Sequence, residues 1–352
     1  MTNRKICFLA QFPPPIHGLS KAVETLYDSR LSEKYEFEKI DISNNRKFLN
    51  TLVSVIRSRA DLFYITISQS KGGNIRDLIL MKVIRWKGSK YLIHLHGGYY
   101  RRLVENEIGR AQRKSNYKAI TDAQGVIVLC DRFKSIFEGM ISDDKIFVVP
   151  NCVDDQFICN GIHEHGNDEK RVLYLSNFNR EKGYRNVLEI VNLVKNESKP
   201  YHFDFAGQFF EEEEKKWFLD YVRGNELDAY VTYHGVVSGE EKRKLLSKSD
   251  IFILLTRYEK EGQPISILEA MANGLAIVTT NHAGIPDMVT DGVNGIVVNS
   301  EKDYEAILKR MNDIDFDAVK IANINAVNEK YRETNYIDNM DAVFEKVLRV
   351  EG

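Results

Sequence analysis

EGQPISILEAMANG, residues 261–274, is the stretch from which the rest of the chain can be read. Two glutamates, Glu261 and Glu269, stand eight positions apart. Pro264 suits the first turn of a helix, where its missing N–H costs nothing. Ile265, Ile267, Leu268 and Met271 supply a buried face at helical spacing, and Gly274 is placed to end the helix. Glu269 then projects from the second turn, and Glu261 lies in the loop before it. Amides exposed at a helix start suit a phosphate or an electron-rich sugar oxygen. A carboxylate can accept two hydrogen bonds from a ribose diol, which suits Glu269. Taken alone, the pattern also describes an ordinary capped helix with two solvated acids.

Upstream of this stretch, short apolar runs alternate with longer amphipathic ones. Strand-like runs fall at residues 5–10, 37–42, 62–67, 90–95, 125–130 and 145–149, and helix-like stretches at 20–32 and 103–118. The pattern then restarts. Strands are expected at 171–175, 202–206, 230–233, 251–255, 276–280 and 295–298, with helices at 183–195, 211–222 and 239–248. Strands alternating with helices argue for βαβ units and parallel sheets. Residues 154–170 are polar and without periodicity, and the linker is placed there. The expected division is a first Rossmann-like domain at 1–160, a second at 161–330, and a C-terminal helical segment at 331–352 that packs back on the first. Two such domains with the carboxyl ends of their strands facing each other would enclose a cleft for two substrates.

The 352 residues are 43% hydrophobic and 28% charged, a globular balance. No run reaches the ~20 apolar residues that span a bilayer, and residues 6–10 are too short for a signal-peptide core, so a cytoplasmic location is expected. Cys7, Cys130, Cys152 and Cys159 form no CxxC pair, which fits a reducing compartment. The net charge of −2 hides an asymmetry: residues 1–150 carry 25 Lys and Arg against 15 Asp and Glu, the remainder 24 against 36. The bases are densest from Arg76 to Lys118, including Arg85, Lys87, Lys90, Arg101, Arg102, Arg110, Arg113 and Lys114. They read either as a solvated helix face or as attraction to an anionic membrane surface or a phosphorylated acceptor. Tyr99 and Tyr100 would add aromatic surface to it.

EGQPISILEAMANG, together with the following AIVTTNHAGIPDMVTDGVNGIVV (276–298), resembles the retaining glycosyltransferases of family 4, of the kind found in bacterial surface-polysaccharide assembly. The resemblance covers nearly the whole chain. It implies the α/β GT-B fold, two doubly wound Rossmann-like domains facing across a cleft. It also implies transfer of a hexose or related sugar from a nucleotide-sugar, UDP-linked by family frequency, to a hydroxyl of a glycan or lipid-linked oligosaccharide, with retention of configuration. In such enzymes Glu269 would hold the ribose and Glu261 would lie beside the donor sugar, with Gly262, Gln263, Pro264 and Ile265 offering backbone to the diphosphate and sugar.

The segment SNFNREKG (176–183) follows the first strand of the second domain. Relatives carry an arginine and a lysine here that stabilise the leaving diphosphate. Lys182 matches the lysine. Asn177 stands at the arginine position, a departure that Arg180 is close enough in sequence to offset. Plain surface charge is the bland reading of Arg180 and Lys182. HLHGG (94–98) ends the fourth strand, and period two puts His94 and His96 on one face. In the family His96 would lie near the donor sugar. A metal pair lacks a third ligand, and two half-buried, hydrogen-bonded histidines are the plain alternative. In PPPIHGLS (13–20) Gly18 remains of a glycine-rich loop bordering donor and acceptor. Asp287 stands where relatives often carry a glutamate, and Cys152 replaces the glycine of a PNGVD-like junction. Neither a metal nor another cofactor is expected, and no nucleic-acid partner; the nucleotide-sugar is a substrate. By this reading of its basic cluster, the expected location includes the inner face of the membrane, as a peripheral protein. The rivals are a nucleotide-sugar epimerase of the same fold and an inactive nucleotide-sugar-binding scaffold.

Overall fold

The computed structural model describes residues 4–14, 18–158 and 169–349. The chain divides into two units, Met1–Cys152 with Glu333–Gly352, and Val153–Arg332. The break thus falls ahead of the polar stretch. Val153 is wholly buried in the second core, and its N–H donates to the Tyr331 carbonyl at 2.9 Å, while Cys152 belongs to the first core.

The first unit is a six-stranded parallel sheet of order β2-β1-β3-β4-β5-β6, built from β1 (Lys5–Ala10), β2 (Glu36–Asp41), β3 (Leu62–Thr66), β4 (Lys90–Leu95), β5 (Gly125–Val128) and β6 (Ile146–Val148). Its helices are α1 (Gly18–Tyr27), α2 (Phe48–Arg57), α3 (Lys71–Trp86), α4 (Tyr100–Arg102) and α5 (Arg110–Thr121). The single helix expected at 103–118 is broken. Ile108 is extended (φ −113°, ψ 155°) and Gly109 caps α5, so the helix restarts at Arg110. β1, β3, β4 and β5 are buried almost throughout, as parallel strands covered on both faces are.

The second unit repeats the plan: β7 (Lys170–Leu175), β8 (Tyr201–Ala206), β9 (Val231–Gly235), β10 (Ile251–Leu254), β11 (Ala276–Thr280) and β12 (Gly295–Val298), in the order β12-β11-β10-β7-β8-β9. Around them lie α6 (Tyr184–Asn196), α7 (Glu212–Gly224), α8 (Gly239–Lys248), α9 (Ile265–Ala272), α10 (Tyr304–Asn312) and α11 (Phe316–Ala326). The chain starts at β7, builds outward through β8 and β9, then returns to lay β10 on the other side of β7. Loops leaving the carboxyl ends of β7 and β10 therefore part in opposite directions, which opens a crevice between them.

The last helix, α12 (Glu333–Arg349), returns to the first unit. Tyr336, Ile337, Met340, Val343, Phe344 and Val347 form one stripe that enters the core beside Phe8, Val23 and Tyr64. Arg30 and Lys34 pair with Asp338, Asp341 and Glu345 at its edge.

Candidate active site

The crevice of the second unit is built by a turn that only glycine can close. After β7 the chain makes a tight turn, Arg180–Lys182, with the Asn179 side chain accepting from the Glu181 N–H at 3.0 Å. Gly183 follows with φ +81°, and a Cβ there would lie 2.2 Å from the Leu255 carbonyl oxygen. The turn is thereby pressed against the end of β10, and the Arg257 N–H donates to the Glu181 carbonyl at 2.6 Å. Lys182 is delivered to Glu261: its Nζ donates to Glu261 Oε2 at 2.6 Å. Thr256 Oγ1 donates to the same oxygen at 3.1 Å, and the Tyr258 ring lies 4.9 Å from the ammonium. Both side chains of the ion pair are largely buried. Burying a carboxylate is costly unless such partners accompany it.

Glu269 sits in the second turn of α9, as its spacing predicts, and is 4% exposed. Its Oε1 accepts from Lys242 Nζ of α8 at 2.6 Å, and that ammonium also lies 4.4 Å from the Phe157 ring centre. Gly262, Gln263 and Pro264 are buried, and the Gly262 carbonyl accepts from the Gly284 N–H at 3.1 Å, tying the loop to the segment that carries Asp287. Pro264 is the cap of the helix (ψ 118°) rather than a residue of its first turn, so the helix begins at Ile265. Gly274, at φ +74°, ends it. Two acid–lysine pairs thus flank α9: Lys182–Glu261 in the loop before it, at the end of β7 and β10, and Lys242–Glu269 in its second turn.

Asn177 is exposed at the head of the same loop. Arg180 turns to α7, where Nε donates to Glu214 Oε1 at 2.8 Å, and Arg185 and the Tyr184 hydroxyl join on that carboxylate. Glu214 is consequently pushed down to about 2, chiefly by Arg180.

In the first unit, Gly18 opens α1 after β1, and His17 lies outside the described residues. His94 and His96 do share a face: their rings stack with centroids 3.9 Å apart. His94 Nδ1 meets the Tyr64 hydroxyl at 2.6 Å, and burial, with His96 beside it, holds the ring below the usual histidine range. A neutral His94 is the consequence. Among the described residues no three His, Cys, Asp or Glu side chains gather in a way that could hold a metal ion. Tyr99 and Tyr100 do not present aromatic surface; they are 8% and 0% exposed, and the Tyr100 hydroxyl donates to Asn116 Oδ1 at 2.6 Å. Part of the basic cluster is also spent internally. Arg76 is buried against Asp77, Lys87 donates to the Val55 and Ser58 carbonyls, and Arg101 to those of Ser135, Ile136 and Glu138.

Sequence reasoning missed Lys242, Thr256 and Tyr258. Lys242 belongs to the charged run of α8, which reads as a solvated helix face; nothing in its sequence neighbourhood points to Glu269, 27 residues later.

Residues 159–320 match the family model described as glycosyl transferases group 1. That stretch falls within the second unit, so the likeness to group 1 glycosyl transferases is carried there, in a chain whose two successive parallel sheets are of the GT-B fold. An uncharacterized 41.2 kDa protein of the Klebsiella pneumoniae cps region is 26% identical over 48% of this chain and 46% of its own length. The amylovoran biosynthesis glycosyltransferase AmsK of Erwinia amylovora is 27% identical over 43% of this chain and 38% of its own. The chain spans about half the length of the curated relatives it matches. Among solved structures, Anabaena Alr3699/HepE, in complex with UDP and glucose, superposes with a TM-score of 0.74 at 15% identity, over 97% of this chain and all of that one. At that identity the likeness speaks of the fold.

Proposed function

We propose that the protein is a retaining glycosyltransferase that moves a hexose or related sugar from a nucleoside-diphosphate sugar, UDP-linked, to a hydroxyl of a glycan or lipid-linked oligosaccharide in polysaccharide assembly at the inner face of a membrane. The observation that carries the reading is the Lys182–Glu261 pair, 2.6 Å apart at the β7/β10 crevice, with Glu269 in the helix that starts beside it. Ligands of open parallel sheets bind at such a point, and a helix start with a lysine offers an anion both amide dipoles and charge. The likeness to a structure in complex with UDP and glucose and to a glycosyltransferase of amylovoran biosynthesis supports the same choice.

In this reading Glu269 holds the ribose diol and Lys242, 2.6 Å from its Oε1, keeps the carboxylate aimed. The amides of Gln263 and Ile265 meet the diphosphate and sugar. Lys182 moves from Glu261 to the departing phosphate, and its charge is most valuable as the leaving group gains negative charge. Glu261, relieved of its ammonium, faces the donor sugar. Asn177 donates a hydrogen bond where relatives place an arginine, and Arg180 stays with Glu214. By the resemblance, His96 lies near the donor sugar and Gly18 belongs to the loop that borders donor phosphate and acceptor. The leaving phosphate takes the acceptor proton on the face from which it departs, and no metal is needed.

Donor hydrolysis and calorimetric binding with UDP-, GDP- and ADP-sugars test this. Selective binding of the UDP-sugar that is lost in Glu269→Ala is the expected result. Binding of none of the three would overturn the reading.

A further inference from the structure

Helices that cover a parallel sheet turn one apolar face inward and a polar face outward. On α2 and α3 the outward faces are apolar too. Leu49, Val53 and Ile56 form a solvent-facing stripe on α2, and Ile75, Ile79 and Trp86 one on α3. Leu49 is 73% exposed and Trp86 82%. α2 packs against α3, and α3 against α5, so the stripes lie on neighbouring helices of one surface. Between α3 and α5 a groove of about 530 Å³ opens, with Ile75, Ile79 and Ala111 among its walls and Lys82, Arg85 and Lys118 at its rim.

The three helices themselves carry charge of almost one sign, with Asp122, Glu105 and Glu107 of the adjoining segments at their edge. α2, α3 and α5 together contain nine bases and a single acid, Asp77, which is buried against Arg76. Arg85 and Lys118 share Asp122, but among the described residues Arg57, Lys82, Arg110 and Lys114 make no ion pair. The platform is also stiff. Asn74 of α3 and Asn116 of α5 exchange side-chain hydrogen bonds of 2.7 and 3.0 Å, and Gln112 donates to Asn74 at 2.8 Å. Its inward polar groups are thus satisfied, and the outward apolar groups are left without a partner among the described residues.

We infer that the α2–α3–α5 surface docks on an anionic bilayer, with Leu49, Ile79 and Trp86 entering the headgroup layer and Lys82, Lys114 and Arg57 meeting acidic headgroups. Exposed large apolar side chains ringed by unpaired cations, with no exposed carboxylate on the three helices, match the two terms of interfacial binding: apolar burial and attraction to acidic lipid. A nucleic acid would use the charge and leave the apolar stripes unexplained. Among the described residues no helix is long and apolar enough to cross a membrane. The inference rests on the reading above for its purpose, a lipid-linked acceptor, and not for its observations.

The test uses the full chain in a Trp217→Phe background, which leaves Trp86 the sole tryptophan. It is mixed with vesicles of phosphatidylcholine alone or of equal parts phosphatidylcholine and phosphatidylglycerol. Pelleting with the acidic vesicles, a blue shift of Trp86 emission, and release by salt are expected. Lys82→Glu with Lys114→Glu, and separately Leu49→Ser, should each weaken vesicle binding at least about tenfold with circular dichroism unchanged. No pelleting, pelleting without a Trp86 shift, or equal binding by the charge-reversed variant would overturn the proposal. So would self-association that Leu49→Ser abolishes in a protein that ignores vesicles, since the surface would then cover a second copy. UDP binding measured on the same preparations separates the two readings. UDP bound but vesicles ignored removes the docking surface alone; vesicles bound but UDP ignored removes the donor site alone.

Discussion

Replacing Lys182 with alanine separates what the Lys182–Glu261 pair does for folding from what the lysine does for chemistry. The lysine side chain is 17% exposed and the glutamate 8%, with 2.6 Å between charged atoms. Removing one member of a buried pair leaves the other uncompensated, at about 3–5 kcal/mol. Here the lower end applies, because Thr256 still donates to the same carboxylate oxygen and the lysine keeps some water. A loss of about 3 kcal/mol in a unit of this size lowers the melting temperature by roughly 6–12 °C, at ~2–4 °C per kcal/mol. Adding Glu261→Gln removes the orphaned charge and should restore most of that temperature. Turnover should behave differently. The loss of a cation aimed at the leaving phosphate lowers kcat by about 10²–10³, and Glu261→Gln cannot return it. Scanning calorimetry and initial rates with a UDP-sugar, on both single variants and the double, measure the two quantities on the same samples. An unchanged melting temperature in Lys182→Ala would refute the buried-pair argument. Turnover recovered in the double variant would show that the lysine acts through Glu261 and not on phosphate.

Glu269→Ala should raise the donor KM with a smaller effect on kcat, and unchanged donor kinetics would remove Glu269 from the ribose. Lys242→Ala leaves Glu269 buried without the ammonium at 2.6 Å, so UDP affinity measured by calorimetry should fall about tenfold or more; equal affinity would make Lys242 a structural residue only. Gly183→Ala places a methyl 2.2 Å from the Leu255 oxygen at a positive φ, and both the melting temperature and UDP binding should drop; a tolerated alanine would mean that the turn is not pressed on β10. Glu214 has a folded pKa depressed to about 2 from an ordinary 4.5. Its contribution to stability is therefore full above about 4.5 and lost as pH falls toward about 2. Acid titration followed by circular dichroism should show a steeper loss in wild type than in Glu214→Gln over that window, and identical curves would refute the assignment.

The chain's own order of residues settles a good deal. Among the described residues the parallel strands were legible because most are short apolar runs bounded by turn residues, and β1, β4, β11 and β12 begin and end where their sequences say they should, whereas the edge strand β2 (EFEKID) is largely charged. Glu269 was legible as a helix-borne acid because helical spacing is a local property, and Gly274 marks where that helix stops. Lys182 was legible as a site candidate through the motif around it. Tertiary structure decided what these side chains touch. Lys182 meets Glu261 across 79 residues and Lys242 meets Glu269 across 27, because strand order, not sequence distance, sets which loops share an end of the sheet. Arg180 went to Glu214 although it sits two residues from Lys182, since a tight turn points its side chains in different directions. The basic cluster divided likewise: a base's charge is visible in sequence, but whether it is buried, as Arg76 is, or left facing water, as Lys82 is, depends on the helix face that packing selects. Local periodicity is written in the chain; pairing across it is written only in the fold.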